Sequence, residues 1–146
     1  MTNESNIENN EAYNKRSARQ AKGLGPLGLF FHQLTNTSRY SFAGFRYMFK
    51  AELAAKIEAI LFVLVLILYF FLQAPVSAYL TSTVLFLLLL ACEALNTAIE
   101  VIIDRISPEI STTGKHAKDL GSFAVVCTLI ANAIYLIWVV VMALTG

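Results

Sequence analysis

Apolar residues run along this chain in three long blocks divided by short polar stretches. Ile57 to Leu72, IEAILFVLVLILYFFL, is nearly unbroken and spans a bilayer once residues before it add a turn. Gln73 to Ala78, QAPVSA, is an uncharged turn marked by Pro75. The apolar pattern resumes from Tyr79 to Ile103, which as a helix reaches roughly 37 Å at 1.5 Å per residue. A hydrocarbon core is about 30 Å thick, so this second span crosses it and protrudes. Arg105 to Asp119, RISPEISTTGKHAKD, reads as a polar loop broken by Pro108 and Gly114. Leu120 to Leu144 is a third span, with Trp138 placed to anchor it at the far interface.

The region before these blocks is patterned differently. From Leu29 to Lys56, Phe42, Phe45 and Phe49 recur at helical spacing, and Arg39, Arg46 and Lys50 follow every turn or two. That suits an amphipathic helix in the headgroup region with its bases towards anionic lipid. A helix docked on the bundle is the other arrangement the pattern allows. Residues 1–28 form a polar tail, expected to be disordered, that ends in GLGPLG. Those glycines match G-x-G-x-x-G, but no strand precedes them and Pro26 interrupts them, so a flexible joint fits better than a nucleotide loop. The expected layout is thus a tail (1–28), an interfacial helix (29–56) and a three-helix transmembrane domain (57–146) with a loop at 105–119.

Charge turns this layout into a topology. Only 14% of the 146 residues are charged and 57% are hydrophobic, against about 25% charged in a soluble domain. No charge occurs from Ala59 to Cys92 or from Leu120 to Gly146, and every Lys and Arg lies within 15–56 or 105–118. The positive-inside bias puts the amino terminus and second loop in the cytoplasm, and three spans leave the carboxyl end outside. Cys92 and Cys127 sit in apolar segments as small filler. No apolar h-region opens the chain as a secretory signal would. P-loop, nucleophile-elbow and zinc-ligand motifs are missing, and the bases are too few to suggest nucleic acid.

Into the end of the second span the chain puts CEALNTAIEVIIDRI. At about 100° per residue, Glu93, Asn96, Glu100 and Asp104 share one stripe roughly 80° wide. Ala91, Ala94 and Ala98 permit close helix approach, so the stripe is expected to face the bundle. A charge in mid-bilayer costs roughly 2.5–3.5 kcal/mol, which makes an intramembrane glutamate a functional candidate. Such a group suits a proton acceptor, while interfacial carboxylates suit Mg²⁺, which commonly takes one or two of them plus substrate phosphates. Asp104 alone is better read as pairing with a nearby base. Lys115, His116 and Lys118, beside Asp119, could hold polyphosphate, although the lysines also serve as plain topology determinants.

EALNTAIEVIIDRI followed by KHAKDLGSFAV resembles the small integral-membrane diacylglycerol kinases of bacteria, of the Gram-negative type. The motif reads Glu-x-x-Asn-[Ser/Thr]-Ala-Ile-Glu, Asp-Arg, then Lys-Asp-x-Gly-Ser, and the likeness covers roughly residues 40–144. The resemblance implies an all-α homotrimer of the bacterial inner membrane, each protomer with a surface helix and three spans. It implies transfer of the γ-phosphate of MgATP to diacylglycerol, giving phosphatidic acid. Glu93 then matches the catalytic base and Asn96 its positioning partner, while Glu52 and Glu100 match metal-binding carboxylates. Tyr40, Glu52, Glu100, Glu109, Lys118 and Asp119 match ATP-contacting positions. Ser41, Arg46, Glu58, Glu93 and Ser122 match the lipid site. Gln33 stands where the family usually has an ATP-contacting Arg. Undecaprenol kinases of the same family tend to carry Ala-Ala where this chain has Gly121-Ser122, which favours diacylglycerol. A non-catalytic transporter or assembly subunit using its acids for cation passage is the reading from another class.

Overall fold

The computed structural model describes residues 24–106 and 111–145, and every element there is helical. They are α1 (Pro26–Ala51), α2 (Leu53–Phe71), α3 (Val76–Ile106) and α4 (Thr112–Thr145). The last three are each long and apolar enough to cross a membrane. The all-α class with three spans is therefore as expected. The chain divides into two units, Met1–Ala43 and Gly44–Gly146.

In the first unit, Leu24–Ala43 is described and carries most of α1. Pro26 occupies the first helical position, where its fixed φ suits a helix start, and Leu29 N–H bonds Gly25 C=O at 3.0 Å. Gly28 is accordingly helical, not part of a tail; the tail's residues 1–23 lie outside the described set. Leu27, Phe30, Phe31, Leu34 and Phe42 are all exposed.

The second unit begins inside α1 and differs from the expected boundaries in two places. The helix stops at Ala51, and Glu52 is extended (φ −99°, ψ 123°), its N–H still bonded to Met48 C=O at 2.8 Å. Lys56, expected on the interfacial helix, is on α2 instead. No Gly or Pro marks this break; local propensity favours a continuous helix and a tertiary contact overrides it. Nor is Arg105 to Asp119 all loop: α3 runs on to Ile106 and α4 starts at Thr112. Ser111 caps α4, its Oγ accepting the Gly114 N–H at 3.0 Å. Gly114 does not break the helix; it is buried at the α3 contact, where an added Cβ would meet Ile103 Cγ2 at 3.1 Å.

Between α2 and α3 the turn is a Schellman motif. Ala74 N–H reaches Tyr69 C=O at 3.0 Å and Gln73 N–H reaches Phe70 C=O at 3.2 Å. Gln73 takes the left-handed conformation (φ 51°) that this motif ordinarily gives to glycine.

α3 and α4 pack far more extensively on each other than α2 packs on α3. Gly114, Gly121, Val125 and Val139 are the buried residues of α4, and Thr128 and Asn132 are half-buried between them. Their spacing of three, four or seven residues makes a narrow seam. The register is antiparallel: Gly114 faces Ile103, Gly121 faces Asn96, and Asn132 Nδ2 donates to Leu85 C=O at 3.2 Å. Towards the turn between α2 and α3, Tyr69, Ala78 and Val139 form the core, with Tyr69 Oη and Ser82 Oγ hydrogen-bonded at 3.0 Å.

Candidate active site

The stripe on α3 turns inward, as its arc requires. Glu93 is 5% exposed, a charged side chain buried among the described residues. A second is Glu58 on α2, 8% exposed, and the two carboxyl groups are within hydrogen-bonding reach of each other. Glu52 and Glu100 lie close enough to act electrostatically on Glu93. Four carboxyl groups from α2, α3 and the α1–α2 junction thus gather at one end of three apolar helices.

Hydrogen bonds order this cluster. Asn96 Nδ2 donates to Glu100 Oε1 at 3.1 Å, one turn along α3. The Thr97 hydroxyl lies 3.3 Å from Glu52 Oε1 and 3.0 Å from Glu93 C=O. The extended residue at 52 therefore leaves its own helix uncapped and directs its carboxylate to Thr97. That contact accounts for the unexpected break between α1 and α2. Asn96 Oδ1 and Glu58 Oε2 are buried without a hydrogen-bond partner, a costly condition that a substrate donor would relieve. Asp104, at the wet end of the stripe, is paired with Lys118 across the α3–α4 contact, as its position near the loop bases suggested.

Other predicted residues stand apart from this cluster. Asp119 and Ser122 are exposed on the first turns of α4, and Arg46 is exposed on α1. Tyr40 and Ser41, like Gln33 and Arg39, belong to the first unit. Glu109 lies outside the described residues. Beside Thr97, a cavity of about 250 Å³ is lined by Gly44, Tyr47, Met48, Ala94, Ala98 and Val101. Ala94 and Ala98, read as helix-contact residues, thus border open space on this side.

Sequence reasoning missed Thr97 and, at Gly121, the contact behind the motif. Thr97 sits four residues after Glu93, within the same face, and its hydroxyl could have been counted with the acids. Gly121 lies one heptad after Gly114 on the α4 seam, and a Cβ there would overlap Asn96 Oδ1.

The donor set suits a hard cation. Glu52 and Glu100 offer oxygen ligands, and no group of three His, Cys, Asp or Glu among the described residues could hold a metal alone. Two carboxylates completed by phosphate oxygens is the usual pattern for Mg²⁺.

Residues 39–142 match the family model for prokaryotic diacylglycerol kinase. A diacylglycerol kinase from Sinorhizobium sp is 46% identical over 102 residues, 70% of this chain and 74% of its own length. Those of Haemophilus influenzae and Escherichia coli are 35% and 33% identical, over 66% and 71% of this chain and 81% and 85% of their own. A match over most of the residues, carrying the stripe, the Asp104–Lys118 pair and the glycine that faces Asn96, makes this chain a member of the prokaryotic diacylglycerol kinase family.

Proposed function

We propose that this protein is an ATP-dependent lipid kinase of the bacterial inner membrane, transferring the γ-phosphate of MgATP to the free hydroxyl of diacylglycerol. The product is phosphatidic acid. The observation that carries this reading is the burial of Glu93 among three further carboxyl groups at the end of three membrane-length helices, in a chain of this family.

Phosphoryl transfer needs positioning, charge neutralisation and an oriented nucleophile more than covalent chemistry. Glu93 lies about 25 Å along α3 from Val76, near the end of a hydrocarbon thickness and level with a lipid hydroxyl. It takes the hydroxyl proton as the lipid oxygen bonds to the γ-phosphorus; the bond from that phosphorus to the bridging oxygen breaks and ADP leaves. Glu58, within reach of Glu93, orients the base and its lipid. Asn96 holds Glu100, and Thr97 holds Glu52, in the positions from which both carboxylates would bind Mg²⁺. That ion, when bound, neutralises the charge of the phosphates. Lys118, Asp119, Tyr40 and Glu109 serve the nucleotide, and Ser41, Arg46 and Ser122 serve the lipid. α1 lies along the cytoplasmic headgroups, the loop bases face the cytoplasm, and three copies assemble.

Purified protein in detergent or bilayers, given labelled ATP, is expected to phosphorylate diacylglycerol only with Mg²⁺ and faster than undecaprenol. A general base contributes about 10²–10⁴-fold, so Glu93→Gln should lose at least that range's lower figure while still inserting and assembling. An active Glu93→Gln enzyme removes the base assignment. Cation movement across liposomes without ATP consumption would favour a transporter instead.

A further inference from the structure

Within the α3 stripe, the two side-chain polar atoms of Asn96 have opposite situations. Its nitrogen donates to Glu100 Oε1 at 3.1 Å, and its oxygen is buried without a hydrogen-bond partner. That oxygen lodges against the bare Cα of Gly121 on α4. A methyl there would come within 3.3 Å of Asn96 Cγ and 3.5 Å of its Cα, and would overlap Oδ1 outright. α3 cannot retreat cheaply. Ile103 is packed on Gly114 to one side of the contact, and Asn132 is bonded to Leu85 on the other. The element free to yield is the Asn96 amide, and its rotation would take the nitrogen away from Glu100.

We propose that Gly121 is a positioning residue for the transfer step: the space at its Cα sets the Asn96 amide, which in turn holds the Glu100 carboxylate. This rests on the lipid-kinase reading of the stripe. A displacement near 1 Å in a reacting constellation can cost about 10²-fold in rate. Gly121→Ala is accordingly expected to lower kcat by roughly that factor, with KM for ATP and for diacylglycerol changed only a few-fold.

Gly114→Ala is the matched control. It also crowds the α3–α4 region, meeting Ser111 Oγ at 3.0 Å and Ile103 Cγ2 at 3.1 Å, but touches no member of the stripe. It should lower the melting temperature and leave kcat near native. Melting also closes a cycle: Gly121→Ala should destabilise the native chain and cost little in an Asn96→Ala background. If Gly121→Ala alone fails to assemble, restored assembly in that background upholds the contact, and continued failure overturns it. Native kcat in Gly121→Ala, or a loss no larger than that of Gly114→Ala, overturns the proposal. Failure of the unaltered protein to phosphorylate diacylglycerol would sink the functional reading instead.

Discussion

The Thr97 hydroxyl has one hydrogen and two acceptors, Glu93 C=O and Glu52 Oε1. A bond back to the preceding turn is ordinary for a helical threonine; a bond to a carboxylate on another element is not. A hydrogen bond to a charged group contributes about 1.5–3 kcal/mol, and about 1.4 kcal/mol is a tenfold change in binding. Thr97→Val keeps the shape and removes the donor. The Mg²⁺ concentration for half-maximal activity should rise about tenfold, and Mn²⁺ binding followed by electron paramagnetic resonance should weaken in parallel. Thr97→Ser should stay near native. A valine variant that saturates normally would reduce the hydroxyl to a local helix bond. Glu93 and Glu100 are legible beforehand because their shared face follows from helical period alone. Their meeting with Glu58 and Glu52 is not, because it depends on how α2 is rotated against α3, which no repeat within one helix encodes.

At the scale of elements, the α2–α3 turn shows a local rule set aside. A left-handed residue with a side chain costs roughly 1–2 kcal/mol, and Gln73 occupies the position a Schellman motif gives to glycine. Gln73→Gly is predicted to raise the melting temperature without changing turnover, read by thermal unfolding in detergent beside a kinase assay. A lower melting temperature would mean that the glutamine side chain has a compensating role. The same pairing of rule and exception explains what the pattern foretold. The three spans stand out because unbroken apolar runs leave few alternatives, and each helix begins before its run does. The stop at Glu52 is hidden in KAELAAK, where most residues favour helix and a carboxylate on another element decides the matter. Gly114 misled in the opposite sense: it looks like a breaker, but Ser111 caps the helix three residues earlier and the glycine serves contact.

For the molecule as a whole, polarity is sorted along the helices. The buried acids, the Asp104–Lys118 pair, Lys56, Arg105 and Lys115 lie towards one end of α2–α4, and the turn at 73–75 and the end of α4 carry no charge. Many large side chains, among them Ile60, Leu64, Leu80, Leu88, Ile130 and Ile137, face outward along the apolar spans, consistent with a lipid surround. A reporter fused after Thr145 is expected to be active only outside the cytoplasm, and one fused near Leu24 only inside. The reverse pattern would detach the acids from the compartment that supplies ATP. The α3–α4 pairing adds one consequence for how this chain can vary. Between Leu85 and Asn132 every facing pair depends on the count of residues separating it, since one extra residue turns the rest of a helix by about 100°. An inserted leucine in that stretch would leave a hydropathy plot looking unharmed yet swing Gly121 away from Asn96 or Asn132 away from Leu85. Gains and losses of length should therefore be tolerated beyond the ends of the pair, and be silent killers inside it.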